Sequence, residues 1–270
     1  MSSSQPLVLY RTEERVAIIT LNRPDRMNAL NREVWDELEH AFQRAHASED
    51  IRTIALVAEG RAFCAGADLS PGVDPNRLLP WKEQFQRRFD HQFRMWSSPK
   101  VVVAGVHGFA LGRGLELALW CDIVVASEET KLGQPEVREG WLVHSVVPWL
   151  ANCQQAKLFM LSGDLITARE AEKIGLVTRV VPTGAAASEA IKLARRLGHV
   201  PAVTARAVKE AINGVYEQQG FRSEQASGIA PAALIAGMTA AEKGVEEIER
   251  IRTEQGFKAS IKFRDAPFET

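Results

Sequence analysis

Cysteine is scarce in this chain and neither sign of charge prevails. Three cysteines stand at 64, 121 and 153, an odd number without C-x-x-C spacing. Neither a disulfide framework nor a zinc site is therefore expected, and a reducing, cytoplasmic setting is. Lys plus Arg number 33 against 34 Asp plus Glu, a formal net charge of −1. That balance supplies no global field to gather nucleic acid or an anionic membrane surface. Met1–Pro6 has no basic start followed by an apolar stretch, so no secretory leader is expected. The longest nearly apolar run, Val101–Ala126, is broken by Arg113, Glu116 and Asp122 and by glycines at 105, 108, 112 and 114. So many charges and breakers argue against membrane insertion. A P-loop, G-x-S-x-G, H-E-x-x-H and N-x-[ST] are all missing. Gly112-Arg113-Gly114 opens like a dinucleotide fingerprint, but its sixth position is Leu117. Glu37-Leu38-Glu39-His40 is a lone E-x-x-H, which without a second copy makes no di-metal site. No resident metal and no cofactor are expected.

What is present alternates. Val8–Arg11 and Val16–Leu21 read as a hairpin, and Asn31 is placed to cap a helix carrying Trp35, Leu38, Phe42 and Ala45. Thr53–Ala58, Val101–Val106 and Ile123–Ala126 are compact apolar strands. Each is followed by a glycine-bearing turn, and the strand–turn–helix theme recurs at 53–69, 101–120 and 123–140. Leu69–Leu79 has no clear period, and Pro80–Trp96 returns to a helical one. Later segments are helical at 154–161, 168–174, 185–197, 203–216, 221–238 and 240–254, with one late strand at Val177–Val181. The expectation is an α/β core with a helical appendage from about Pro201.

Two acids stand out. Glu116 sits within Leu115-Glu116-Leu117-Ala118-Leu119-Trp120, where an ionised carboxylate is costly unless paired. Such tension marks acid–base residues, and equally a structural carboxylate bonded to backbone. Glu136 follows Gly133-Gln134-Pro135 and alone reads as a turn acid. Together, two carboxylates on neighbouring corners can share one water.

These residues resemble the crotonase, or enoyl-CoA hydratase/isomerase, superfamily over nearly the whole chain. The matching blocks are Leu21-Asn22-Arg23-Pro24, Met27-Asn28-Ala29-Leu30, and the run from Ala62 to Leu69. The strongest, Val106 to Ala118, leads to Cys121-Asp122-Ile123. Gly133-Gln134-Pro135-Glu136, Gly175-Leu176-Val177 and Val181-Pro182 follow in order. The resemblance implies a crotonase-like spiral of ββα units over residues 1–200. It implies a C-terminal helical region at 201–270 that forms a homotrimer or a dimer of trimers. The substrate it implies is an acyl-CoA thioester, with coenzyme A as part of that substrate. The backbone N–H groups of Ala67 and Arg113 map to the family's oxyanion hole. Met27, Ala29, Ala65, Asp68, Leu69 and Gly112 map to the substrate and CoA stretch. Glu116 maps to the group that activates water for Cβ, and Glu136 to the one that gives a proton to Cα.

Three features depart from the pattern. Arg113 occupies the middle of the usual Gly-Gly-Gly, where an arginine is strained if φ is positive. Its side chain points outward in the simplest arrangement, or reaches a CoA phosphate or a substrate carboxylate. Trp141-Leu142-Val143-His144-Ser145 replaces the usual glycine-rich turn, which implies a reshaped acyl pocket. His144 falls close to where the dehalogenase branch carries its nucleophile, and is an extra acid–base group, a group that orients a polar acyl chain, or a histidine that caps a helix or packs beside Trp141. The tryptophans at 35, 81, 96, 120, 141 and 149 are core candidates, with Trp81 also near the acyl tunnel. Lys258, Lys262 and Arg264 form a basic cluster that reads as a solvated face, or as a contact to a neighbouring subunit's CoA. Hydratase is the leading expectation. Δ3-Δ2-enoyl-CoA isomerase, another acyl-CoA reaction of the family and an inactive acyl-CoA-binding scaffold are the alternatives.

Overall fold

Strands whose residues are apolar on both faces form the spine of the molecule. The computed structural model describes residues 5–69, 78–142, 144–239 and 242–269. A hairpin of β1 (Val8–Glu13) and β2 (Val16–Leu21) turns at Glu14, which takes φ +53°. The Asn31 side chain accepts the Val34 N–H and starts α1 (Arg32–Ala47), as its cap position requires. Then come β3 (Thr53–Ala58), α2 (Leu78–Trp96) and β4 (Val101–Val106), and after them β5 (Phe109–Leu111), α3 (Arg113–Leu119), β6 (Ile123–Ser127) and β7 (Lys131–Gly133). A 3-10 turn over Pro135–Glu139 precedes α4 (Val147–Leu150), α5 (Cys153–Ser162), β8 (Ile166–Thr167), α6 (Ala168–Lys173), β9 (Arg179–Val181) and α7 (Ala186–Leu197). The C-terminal part holds α8 (Ala202–Gln218), α9 (Phe221–Ser227), α10 (Ile229–Thr239), α11 (Lys243–Gln255) and α12 (Phe257–Asp265).

The large sheet runs β1-β2-β3-β4-β6-β9, parallel after the hairpin. Successive side chains alternate between its faces. Val16, Ile18, Ala55, Val57, Val103 and Val125 meet α7 through Ala186, Ala190, Leu193 and Ala194. Ala17, Ile19, Ile54, Leu56, Val102 and Val124 join α1 and Leu115 and Leu117 of α3 in the main core. Covering on both faces explains why these strands read as unbroken apolar runs. Gly105 lets α7 approach: a Cβ there would stand 2.8 Å from the Ala186 carbonyl oxygen.

The small sheet, β5-β7-β8, shapes the site. Each of β4 and β6 is followed by a three-residue strand of this sheet and then by a helical segment, which is the ββα repeat that the family resemblance implies. Bridges at Cys64↔Ala110 and Leu30↔Ala67 bring the earlier turns alongside. Strands of two or three residues carry too little alternation to be read from sequence, and β5, β7 and β8 were not expected from it.

The expected helix at 221–238 divides at Gly228, although the Gly228 N–H still bonds the Glu224 oxygen (3.2 Å) and the Ala232 N–H the Gly228 oxygen (3.0 Å). A further helix, α12, lies beyond Gly256, whose φ of +91° turns the chain. Most of the aperiodic stretch at 69–79 lies outside the described residues, as does the side chain of Trp81. Trp120 is buried and Trp96 and Trp149 partly so, and all three pack around Phe221, tilted or edge-on. Among the described residues no helix is long and apolar enough to cross a membrane.

Candidate active site

Gly112 is the pivot. It leaves β5 at φ +48°, ψ −117°, a conformation open only to glycine. Arg113 then begins α3 with ordinary helical backbone, so the strain feared for an arginine falls on its glycine neighbour instead. The first amides of a helix have no partner within it, and among the described residues the Arg113 N–H makes no hydrogen bond.

The Ala67 N–H is likewise free among the described residues. The Leu30 N–H bonds the Gly66 oxygen at 2.7 Å and the Asp68 N–H bonds the Leu30 oxygen at 3.1 Å. Those bonds hold the groups on either side of Ala67 and leave its own N–H directed elsewhere. A Cβ on Gly66 would stand 3.0 Å from the Leu111 oxygen and 3.8 Å from the Arg113 nitrogen. The two free N–H groups therefore come from abutting backbone segments.

The other mapped residues gather beside them. The Ala65 N–H bonds the Met27 oxygen at 2.9 Å. Met27 and Asn28 take left-handed φ values of +48° and +55°. The buried Asn28 amide holds that turn, donating to the Glu59 and Ala62 oxygens at 2.8 Å each. Arg23 donates to Ala29 O (3.1 Å) and to Asp68 Oδ2 (2.6 Å). Asp68 is thus held by an arginine, and Leu69 stays partly exposed.

Glu116 lies one turn into α3 and is 3% exposed. Gln134 Nε2 donates to its Oε1 at 2.7 Å, and the Ser145 hydroxyl donates to the same oxygen. Trp120 Nε1 and the Val146 N–H reach Oε2 at 3.3 and 3.4 Å. Burial still pushes its pKa above the usual carboxylate range, against these donors and the Arg88 charge. Glu136 presses against Gly112, where a Cβ would fall 1.6 Å from Oε1. Its Oε2 is buried and has no hydrogen-bond partner among the described residues. Burial lifts its pKa to about 7, and the Glu139 and Glu116 charges push the same way. The two acids are therefore close enough to sense each other, one clasped and one free.

Sequence reasoning missed Gln134 and Ser145 as holders of Glu116, and it missed Arg88. The signal for Gln134 was its place in the Gly-Gln-Pro-Glu block. Ser145 and Arg88 had none, since a serine in a loop and an arginine on a polar helix are commonplace. The Arg113 side chain also departs from the outward arrangement: it is partly buried, with Cζ 5.6 Å from the Phe85 ring centre. His144 packs against the end of α9. Its ring fills the space beside Gly228, where a Cβ would fall 2.1 Å away, and Nε2 lies 3.8 Å from Glu224 Oε1. Burial lowers its pKa, against the Glu224 charge. Arg264 is no member of a solvated cluster: it bonds Glu139 and Asp265, while Lys258 and Lys262 are exposed.

Residues 11–243 match the family model described as enoyl-CoA hydratase/isomerase. A protein of Mycobacterium bovis named probable enoyl-CoA hydratase is 36% identical over 223 residues, 78% of this chain and 82% of that one. Mitochondrial enoyl-CoA hydratase of Pongo abelii is 31% identical over 211 residues, 75% of this chain and 70% of that one. The crystal structure of an enoyl-CoA hydratase/isomerase from Xanthobacter autotrophicus Py2 superposes with a TM-score of 0.89 at 32% identity. It covers 98% of this chain and 99% of that one. Match and geometry agree: the chain is an enzyme of the enoyl-CoA hydratase/isomerase family, with the crotonase fold.

Proposed function

We propose that the protein is an enoyl-CoA hydratase, adding water reversibly in the syn sense across a 2-enoyl-CoA thioester. The observation that carries this is the meeting of two acids, Glu116 buried and Glu136 half-buried, with two free N–H groups around Gly112. The Ala67 and Arg113 N–H groups receive the thioester oxygen as it gains enolate charge. Glu116 takes a proton from water as the water oxygen bonds Cβ. Glu136, with a pKa of about 7, holds a proton near neutrality and delivers it to Cα. Met27, Ala29, Ala65, Asp68 and Leu69 line the path of the CoA moiety, and no other cofactor takes part. Residues 1–200 carry the chemistry and 201–270 the assembly, although Gln225 Nε2 of the latter reaches the Ser145 oxygen at 3.3 Å.

Purified protein is expected to bleach the conjugated thioester absorbance of crotonyl-CoA, and Glu116→Gln to slow this about 100-fold or more. Full-rate hydration by that variant would rule the two-acid scheme out. A second reading has its own support: Glu116 is clasped by the protein while Glu136 Oε2 is free. A Δ3-Δ2-enoyl-CoA isomerase needs only one mobile carboxyl, to move a proton between Cα and Cγ. It is favoured if 3-enoyl-CoA turns over faster than crotonyl-CoA and Glu116→Gln leaves that rate intact.

The assembly is proposed to be a trimer or a dimer of trimers. Val208, Ile212 and Val215 of α8 are 54%, 55% and 53% exposed. At i, i+4, i+7 they form one apolar stripe. Sedimentation velocity is expected to give three or six chains, and Val208→Glu with Ile212→Glu to give smaller species. A monomeric wild type would overturn this assignment.

A further inference from the structure

Two arginines stand beside the acid pair and bond neither member of it. Arg88 Cζ lies 5.0 Å and Arg113 Cζ 5.6 Å from the centre of one ring, Phe85. That ring is buried and packs with Ile229, Ala232 and Ala233 of α10. Both arginines are partly buried. Among the described residues neither guanidinium makes a hydrogen bond or an ion pair. Each still faces the chemistry: the Arg88 charge acts on both Glu116 and Glu136, and the Arg113 charge on Glu136. They also repel each other.

Glu116 does not answer them. Its oxygens are already taken by Gln134, Ser145, Trp120 and Val146. Glu136 presses on Gly112 and, with a pKa of about 7, offers only part of a negative charge near neutrality. Two guanidiniums withdrawn from water beside so little negative charge are costly until an anion joins them. Guanidinium suits a carboxylate because its planar fork bonds both oxygens.

We propose that the acyl chain of the natural substrate carries a carboxylate remote from the thioester, and that Arg88 and Arg113 bind it. Resting on the hydratase reading, this adds the substrate class: a mono-CoA thioester of an unsaturated dicarboxylic acid. The phosphates of CoA do not meet this need. They lie at the far end of the ligand, whereas these two cations act on the groups that work at Cα and Cβ. The fixed positive pair also offsets the repulsion that such a substrate meets from Glu116 and Glu136.

The test compares 4-carboxybut-2-enoyl-CoA with its methyl ester, which differs in charge at nearly equal shape. In wild type, kcat/KM is expected to favour the acid by about 10- to 150-fold, the range of a charge-assisted hydrogen bond. Arg88→Gln and Arg113→Gln are each expected to shrink this ratio about tenfold or more, and Arg88→Lys to restore part of it. Because the readout is a ratio, a general loss of activity does not imitate the result. A wild-type ratio near one, with crotonyl-CoA still hydrated, overturns the inference and leaves the hydratase reading standing. A ratio unmoved by either substitution to Gln also overturns it. If no 2-enoyl-CoA is hydrated, the hydratase reading falls. Calorimetric affinities for the saturated acid and ester thioesters then decide the carboxylate site by the same ratio.

Discussion

Glu136→Gln is expected to lower kcat for crotonyl-CoA by about 1,000-fold, within the range for a positioned acid or base. Gln has the shape of protonated Glu and fits against Gly112, yet it holds no transferable proton. The pH profile carries the sign. Burial raises the Glu136 pKa to about 7, so the proton-bearing form prevails below that pH and disappears above it. Wild-type kcat/KM is therefore expected to fall as pH rises through about 7, and the residual activity of the variant to be flat there.

The variant's stability should move opposite to its activity. Unfolded Glu136 releases its proton near 4.5 and the folded one near 7. Ionised Glu136 thus costs the folded state increasingly from pH 4.5 to 7 and constantly above. After discounting for its partial exposure, that cost is on the order of 2 kcal/mol. Urea unfolding is expected to find Glu136→Gln more stable than wild type by about that amount at pH 8, and equal to it near pH 4. A variant that is less stable at pH 8 and loses little activity would make Glu136 structural and end its assignment as an acid. Strain retained where it serves chemistry is the common trade between stability and activity.

The central strands and Glu116 were legible in the sequence for physical reasons, whereas Glu136 drew notice only through its pairing with Glu116 and the motif resemblance. Strands covered on both faces must be apolar throughout, so Thr53–Ala58 and Val101–Val106 stand out and match the structure at both ends. Glu116 stands out because it is the wrong residue for its surroundings. The N–H groups proposed to receive the thioester oxygen belong to the backbone, where side-chain chemistry is mute. Only the motif resemblance pointed to them, and the free N–H groups of Ala67 and Arg113 now support it. Contacts between distant segments left no trace. The Ser145 hydroxyl reaches across 29 positions to Glu116, and Arg88 follows Arg87 on an amphipathic helix where an arginine draws no notice. His144 was noticed for its type, but its seat beside Gly228 depends on how α9 and α10 fold back. The basic C-terminal cluster misled because charge spacing does not show which partners lie opposite.

Those partners yield the second large effect, on Arg264→Ala. Glu139 is 5% exposed and sits three residues after Glu136 on the same turn. Arg264 Nη1 donates to its Oε1 at 2.8 Å and Arg252 Nη2 to its Oε2 at 3.0 Å. Arg264 also forks onto Asp265, whose Oδ1 accepts from Arg138 Nη1 at 3.0 Å. The network ties α11 and α12 to the turn carrying Glu136. Breaking a buried pair from one side leaves a charge without compensation, at about 3–5 kcal/mol. Since Arg252 remains, about 3 kcal/mol is expected, seen as a Tm lower by roughly 10 °C. The Glu139 charge already raises the Glu136 pKa, and freed from Arg264 it acts more strongly. The alkaline fall of kcat/KM should therefore move to higher pH in Arg264→Ala. Adding Glu139→Gln removes the stranded charge, and is expected to return the pH limb to or below its wild-type position and to recover part of the Tm. A general loosening of the C-terminal helices would lower Tm without that reversal. An unchanged Tm with an unchanged limb would show that the network neither supports the fold nor sets the field at Glu136.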